Sequence, residues 1–492
     1  MRGAALEARA SLKDPATVGI AREIAADARE KGGSLLVGAI AVLGAEGSAE
    51  SARLLFGIGA RTATAVRAEA LKAVRGMDPS GVIAAAEAAL EGRDRGATSF
   101  AVEALEGLPS ALAARGLRRA LNDSDPAIVA AAAAALGARG DPAAVTDLRK
   151  ETSNPDPFAR ASVIGALTDL QPRDPEWRKR LFQFAEDPAP QVRIAVALSL
   201  GRHGGETGLP TLERLLVDRE GPVRAAATQA LGVVRSKRSV PVLIARLKKE
   251  RGRLREDLAA SLRRITGQAF GRWVEDWERW WTAEGDRFVV PPLAEVESKA
   301  KALAQARAGA ETGTFYGLEV ISNRVAFLID ASGSMGEPTG TAAPGGKAES
   351  RYEVAQRELR SALEGLLRAN DPRFNVILFA TDAEGGTERL QPVDEKAIAA
   401  AMRTVAARKP NGPTNLYGGL ERAFADPDVD TIYLLSDGSP TAGPILDPAL
   451  LAAEVRKWNR FRRLAIHGVS IGASSALLES LAEDSGGKFV KR

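Results

Sequence analysis

The chain has 492 residues, 45% hydrophobic and 26% charged, with 48 glycines and 26 prolines. That is the balance of an ordinary folded protein, long enough for about three domain-sized units and too poor in glycine and proline for a collagen or a wholly disordered chain. Cysteine is absent and histidine occurs only as His203 and His467, which excludes disulfides, thiolate zinc sites, iron–sulfur clusters and histidine-cluster sites, while a net charge of +4 over this length is not the footprint of a specific nucleic-acid binder.

The longest apolar run, Pro126 to Ala138, is mostly alanine, is bounded by Asp125 and Arg139, and falls short of the ~20 residues that cross a bilayer. The first thirty residues carry Arg9, Lys13, Asp14, Arg22, Glu23 and Asp27, so they lack the uninterrupted apolar core of a secretory leader. With Met1 as the start, a cytoplasmic location without a membrane span is expected.

Short blocks recur along the N-terminal part. Asp156-Pro-Phe-Ala-Arg160, Ala189-Pro-Gln-Val-Arg193 and Gly221-Pro-Val-Arg224 each run into an apolar, alanine-rich stretch. The arginines are 33 and 31 residues apart, Arg255 lies 31 further on, and looser matches fall near Val129, Ser99, Arg67 and Leu36. About eight units of this period signal a stacked repeat. In each unit a proline opens a helix, a glycine closes it, and a second apolar stretch such as Leu209 to Leu216 follows. This is a helical hairpin that buries its face only against its neighbours. The pattern resembles HEAT repeats of the short kind found in many bacterial proteins, well over residues 120 to 265 and loosely before them.

Trp273, Trp277, Trp280 and Trp281 stand at i, i+4, i+7 and i+8, one face of a helix. Two readings apply: a terminal cap that buries its rings, and a stacking or sugar-binding face. The run from Arg246 to Arg255 is locally basic, which fits a solvated outer face or a dock for an acidic partner. From about Asp286 to Gly317 the pattern breaks into a connector with a Lys/Ala/Glu-rich helical stretch.

The last third alternates between two periodicities. Continuous apolar runs at Arg324–Asp330, Phe374–Ala380, Thr431–Ser436 and Leu464–Ile471 predict strands buried on both faces. A short edge strand is expected at 388–392 and a last one at Lys488–Val490. Helices are expected over Arg351–Arg368, Asp394–Ala407, Asn415–Ala425, Pro448–Phe461 and Ser474–Asp484. The result is an open, mostly parallel sheet with helices on both faces, whose ligands bind at the carboxyl ends of the strands. Asp330 and Asp437 are each placed there.

Asp330, Ser332 and Ser334 are spaced two apart in a tight loop with Gly333. Thr414 sits in Asn411-Gly-Pro-Thr-Asn-Leu, and Asp437 follows another strand. All five offer oxygen, which is the chemistry of a hard divalent cation. Two carboxylates balance one such ion, and neutral hydroxyls leave it electrophilic. This resembles the von Willebrand factor A (VWA) domain and its metal-ion-dependent adhesion site, whose motif is Asp-x-Ser-x-Ser, a distant Thr and a distant Asp. The resemblance covers about residues 318 to 492. It implies that the site holds Mg²⁺, sometimes Mn²⁺ or Ca²⁺, and captures an acidic side chain of a protein ligand.

The expected organisation is therefore multidomain. An all-α HEAT-like solenoid occupies 1–265, a Trp-rich helical cap 266–290, a connector 291–317, and a doubly wound, Rossmann-like α/β VWA domain 318–492. The whole resembles bacterial proteins that join HEAT repeats to such a domain. A non-enzymatic interaction protein follows, with two alternatives: a regulatory or assembly subunit of an AAA+ ATPase, as in some relatives of the domain, and a metal-assisted hydrolase. The second lacks an evident general base. Gly468-Val-Ser470-Ile-Gly472 matches the nucleophile-elbow pattern, but Ser470 is expected inside a strand and no histidine follows it. Gly345-Gly346-Lys347 lacks the first glycine of a phosphate loop. His467 is expected to pack locally, and His203 to be solvated in a turn. The stretch 336–350 is flexible by composition, either shaping partner choice and ion access or serving as a disordered insertion.

Overall fold

A computed structural model of the protein describes residues 14–27, 33–62, 64–306, 314–342, 348–369, 371–472 and 475–492. The chain divides into two compact units, Met1–Thr211 and Leu212–Arg492.

Among the described residues the first unit contains helices and no strand. Several of its helices start at Asp-Pro pairs: Asp125, Asp156 and Asp174 cap the helices Pro126–Arg139, Pro157–Leu170 and Pro175–Gln183, each accepting from backbone N–H groups of the first turn. Aspartate satisfies otherwise orphaned donors there, and proline at the first position forfeits none. Small residues then let helices touch. A Cβ built on Gly137 would stand 2.8 Å from Cα of Ala166 in the next repeat, so the two backbones pack without an intervening side chain.

The repeating arginine has a physical role. Arg160 donates to the carbonyls of Asn154 (2.7 Å) and Pro155 (2.9 Å) and pairs with Asp187 at 3.0 Å. Arg193 donates to Asp187 O and Pro188 O. In the second unit Arg224 does the same to Asp218 O and Arg219 O and pairs with Glu250 at 2.8 Å. Each arginine thus closes its own turn, and Arg160 and Arg224 also tie it to an acid one repeat on. Arg255 departs from the series and donates to Arg272 O at 3.0 Å, because the repeat ends there.

Beyond the helix Gly252–Thr266 lies the helix Val274–Glu284. Trp277 is fully buried, edge-on to Phe270, with its Nε1 donating to Gly271 O at 2.8 Å. Trp280 and Trp281 are half-buried against Phe288. Trp273 breaks the expected face: it precedes the helix, is 58% exposed, and has the guanidinium groups of Arg255 and Arg272 within 6 Å of its ring centre. The basic run is solvated only in part: Lys248, Lys249 and Arg251 are exposed, whereas Arg246 and Arg253 turn inward. Arg246 pairs with the buried Glu250, Lys248 with Glu278, and Arg253 is largely buried. His203 also differs from expectation, lying in the last turn of the helix Pro190–His203 with Nε2 2.9 Å from Asp169.

The connector contributes more than a link. After the helix Leu293–Ala306, Thr314–Phe315 pairs with Leu318–Glu319 in a two-residue hairpin whose turn residues, Tyr316 and Gly317, both have positive φ. Such a turn matches the twist of the flanking strands. Phe315 is fully buried in the core of the sheet that follows.

That sheet has five parallel strands: β1 (Arg324–Asp330), β2 (Arg373–Phe379), β3 (Thr431–Ser436), β4 (Ala465–Ser470) and β5 (Phe489–Lys491). Their spatial order is β5-β4-β3-β1-β2, and two short antiparallel pieces, Ala383–Glu384 and Gln391–Pro392, pair with β2. Alternation along β1 explains the layers. Val325, Phe327 and Ile329 pack against the helices Arg351–Leu366 and Glu395–Ala407. Ala326 and Leu328 pack against Leu416–Ala425, Pro448–Arg462 and Ala476–Ser485. From β1 the chain proceeds to β2 on one side, then returns past β1 to β3 on the other. The strand order reverses between β1 and β3, the point where an open α/β sheet leaves a crevice at its carboxyl end.

His467 on β4 stacks on Tyr433, and its Nδ1 accepts from Lys488 N at 3.0 Å. Burial, reinforced by Lys488, pushes its pKa down to about 3. Ser470 ends β4 and is fully buried. Within 336–350, Pro338–Ala342 and Ala348–Ser350 pair antiparallel. The flanks of that stretch are therefore ordered as a hairpin, while Gly345-Gly346-Lys347 lies outside the described residues. Among the described residues no helix is long and apolar enough to cross a membrane.

Candidate metal centre

Asp330 is the last residue of β1 and is fully buried. Its Oδ1 accepts from Ser332 N at 2.8 Å and its Oδ2 from Ser436 Oγ at 2.6 Å. Burial, with the Asp437 charge adding to it, raises its pKa to about 6 against the hydrogen bonds from Ser436 and Ser332. The chain then turns through a short 3-10 segment, Gly333–Gly336, that brings Ser334 beside Ser332, with Oγ atoms 3.2 Å apart. Ser334 Oγ donates to Asp437 Oδ1 at 2.8 Å. A carboxylate oxygen can only accept, so Ser334 spends its proton there and Ser332 donates to Ser334.

Asp437 directly follows β3, so the carboxyl ends of β1 and β3 deliver the two acids to one place. Thr414 lies on a loop pinned to the same turn. Gly333 N donates to Gly412 O at 2.9 Å and Asn411 N to Ala331 O at 3.0 Å. Thr414 is buried, with its N–H bonded to Thr441 Oγ1 and its carbonyl accepting from the N–H of Thr441 and of Ala442. The structure thus joins Asp330, Ser332, Ser334 and Asp437 in one hydrogen-bonded chain and sets Thr414 on the adjoining loop.

Two participants were not read from the sequence. Ser436 donates to Asp330; its only signal was its place before Asp437. Arg351 donates to Asp437 Oδ2 at 2.6 Å and lies 3.3 Å from Glu337. Its signal was a basic residue opening a helix, where the positive end of the helix dipole disfavours it.

The donor set suits a hard cation. Among the described residues no group of three or more His, Cys, Asp or Glu is placed to hold a metal; the candidate donors here are two carboxylates and three hydroxyls. Asp330 is bonded to a neutral amide and a neutral hydroxyl, and Asp437 is the charge that bears on it. A buried carboxylate with neutral partners and an anion nearby is stabilised by a cation.

Residues 323–490 match the von Willebrand factor type A domain family, and residues 83–168, 147–232 and 178–263 match HEAT repeats. The chain therefore carries HEAT repeats followed by a VWA domain. Human von Willebrand factor A domain-containing protein 3A is 27% identical over 174 residues, covering 35% of this chain and 13% of its own length. Human inter-alpha-trypsin inhibitor heavy chain H4 is 30% identical over 189 residues, 35% of this chain and 18% of its own. The chain thus spans less than a fifth of either relative. Among solved structures, a von Willebrand factor type A protein from Catenulispora acidiphila is 21% identical at a TM-score of 0.29, covering 34% of this chain and 38% of that one. Human deoxyhypusine hydroxylase is 19% identical at a TM-score of 0.24, covering 46% of this chain and 98% of that one.

Proposed function

We propose that this is a non-catalytic interaction protein. Its VWA domain holds Mg²⁺, with Mn²⁺ or Ca²⁺ as substitutes, on Asp330, Ser332, Ser334, Thr414 and Asp437. Through that ion it captures an acidic side chain of a partner protein, and the HEAT stack adds a second binding surface. The observation that carries this reading is the hydrogen-bonded chain Asp330–Ser332–Ser334–Asp437 at the reversal of strand order. When bound, the ion supplies a Lewis-acidic position that a carboxylate from outside can occupy.

The residues of this chain do the rest. Ser436 and the Ser332 amide orient Asp330, Ser334 orients Asp437, and Thr441 orients the Thr414 backbone. The non-catalytic reading is supported by His467, which is buried in the sheet with its Nδ1 already engaged. Melting in millimolar Mg²⁺ against EDTA tests the site. Mg²⁺ raises the transition of the VWA domain by mass action, and Asp330→Ala removes the effect. Identical curves in the two buffers refute the proposal. Affinity capture from cell extract with and without Mg²⁺, with Asp330→Ala as control, then identifies the partner.

A further inference from the structure

We propose that Arg351 is a tethered counter-ion of Asp437 that competes with the divalent cation, so that metal entry is coupled to release of its guanidinium toward Glu337. The inference rests on the metal-site reading above and concerns how that site is tuned.

The Asp437 side chain is fully buried, and both of its oxygens are engaged. Oδ1 accepts from Ser334 and Oδ2 from Arg351 at 2.6 Å. The same guanidinium nitrogen is 3.5 Å from Ser334 O. Arg351 therefore supplies a positive charge where a cation would bear on Asp437, and it reduces the net charge of the acids from −2 to −1. A second anchor is available: Glu337, exposed at its side chain, already lies 3.3 Å from Arg351 Nη2. The backbone is fixed independently, with Arg351 N donating to Glu337 O at 2.9 Å and Ser350 and Glu353 forming a reciprocal cap at the helix start. The side chain can thus exchange partners while the helix stays in place. The position opposes the helix dipole, and Asp437 is the compensating contact.

A guanidinium and a divalent ion sharing one carboxylate repel each other at short range and low solvent access. Removing the guanidinium charge therefore strengthens metal binding. Calorimetric titration of the full chain with MgCl₂ is expected to show Arg351→Gln binding roughly ten- to hundredfold tighter than the parent. Arg351→Lys, which keeps the charge, is expected to stay within a few-fold of it. In EDTA, Arg351→Gln melts below the parent because Asp437 has lost its counter-ion, so its gain in melting temperature on adding Mg²⁺ is the larger one. Unchanged or weaker Mg²⁺ binding by Arg351→Gln, with the parent binding, overturns this inference alone and makes Arg351 a positioning residue. Absence of Mg²⁺ binding in the parent and both variants overturns the metal site itself.

Discussion

The Asp330 carboxyl gives the sharpest test of the metal centre, because the cation-free fold should be better off without its charge. Asp330 is buried, and its pKa is raised from 3.8 to about 6. The folded chain therefore holds this proton to higher pH than the unfolded chain does. Its contribution is neutral below pH 3.8, turns unfavourable as pH rises toward 6, and is fully unfavourable above that. At about 1.4 kcal/mol per tenfold change in proton affinity, the ionised group costs the fold about 3 kcal/mol. Asp330→Asn removes the charge and keeps the shape. The Asn oxygen still accepts from Ser332 N, and its amide can donate to Ser436 Oγ. That hydroxyl then turns its proton to Gly438 O, which is 3.3 Å away. With repacking losses deducted, the variant should be about 1–3 kcal/mol more stable than the parent at pH 7.5 in EDTA, and about equal to it at pH 4. Urea unfolding followed by circular dichroism across pH 4 to 8 measures this. Adding Mg²⁺ should reverse the order, since only the parent gains. An Asn variant less stable than the parent at pH 7.5 in EDTA, or an offset that ignores pH, refutes the reasoning.

Two further tests address the body that carries the site. Arg253 donates to the carbonyls of Asp430 and Arg463 and lies 3.4 Å from Asp257. Burial holds the Asp257 and Asp430 carboxyls above their usual range. Arg253→Ala removes the largest positive charge acting on both groups and should cost about 2–4 kcal/mol in urea unfolding, the lower part of the range for a broken buried pair because Asp257 keeps some solvent and other arginines remain nearby. Asp257→Ala added to it should recover part of the loss. Trp277→Ala empties a fully buried ring site and orphans Gly271 O. Scanning calorimetry should show a loss of about 3–5 kcal/mol; no change would mean that the aromatic cluster does not cap the repeats.

Much of the fold was legible because it is written locally. The strands that carry the site are continuous apolar runs ending in an acid or just before one. Asp330 closes β1 and Asp437 follows β3 without an intervening residue. The repeat arginines were legible as a period, and the structure supplies their reason in the carbonyls of their own turn. What escaped is what depends on distant pairing. The Arg246–Arg255 run looks basic and solvated as a string. Yet Arg253 donates to carbonyls 177 and 210 positions away. No count of charges along the chain reveals such partners. The 336–350 stretch looks flexible because it is rich in glycine and proline, but ladder bonds between Pro338–Ala342 and Ala348–Ser350 order its flanks.

The same distinction governs the metal centre. Donor identity is a property of residues, so Asp-x-Ser-x-Ser with a distant threonine and aspartate points to an oxygen site before any coordinates exist. Affinity is a property of net charge in a small buried volume, and that volume includes Arg351, 86 residues from Asp437 along the chain. Two sites with the same five donors, one with this guanidinium and one without, should differ in Mg²⁺ affinity by about the interaction of one positive charge with the ion. On the proposed reading a motif match suggests the kind of ligand, whereas the concentration at which the site fills would depend on Arg351, placed there by the helix it opens.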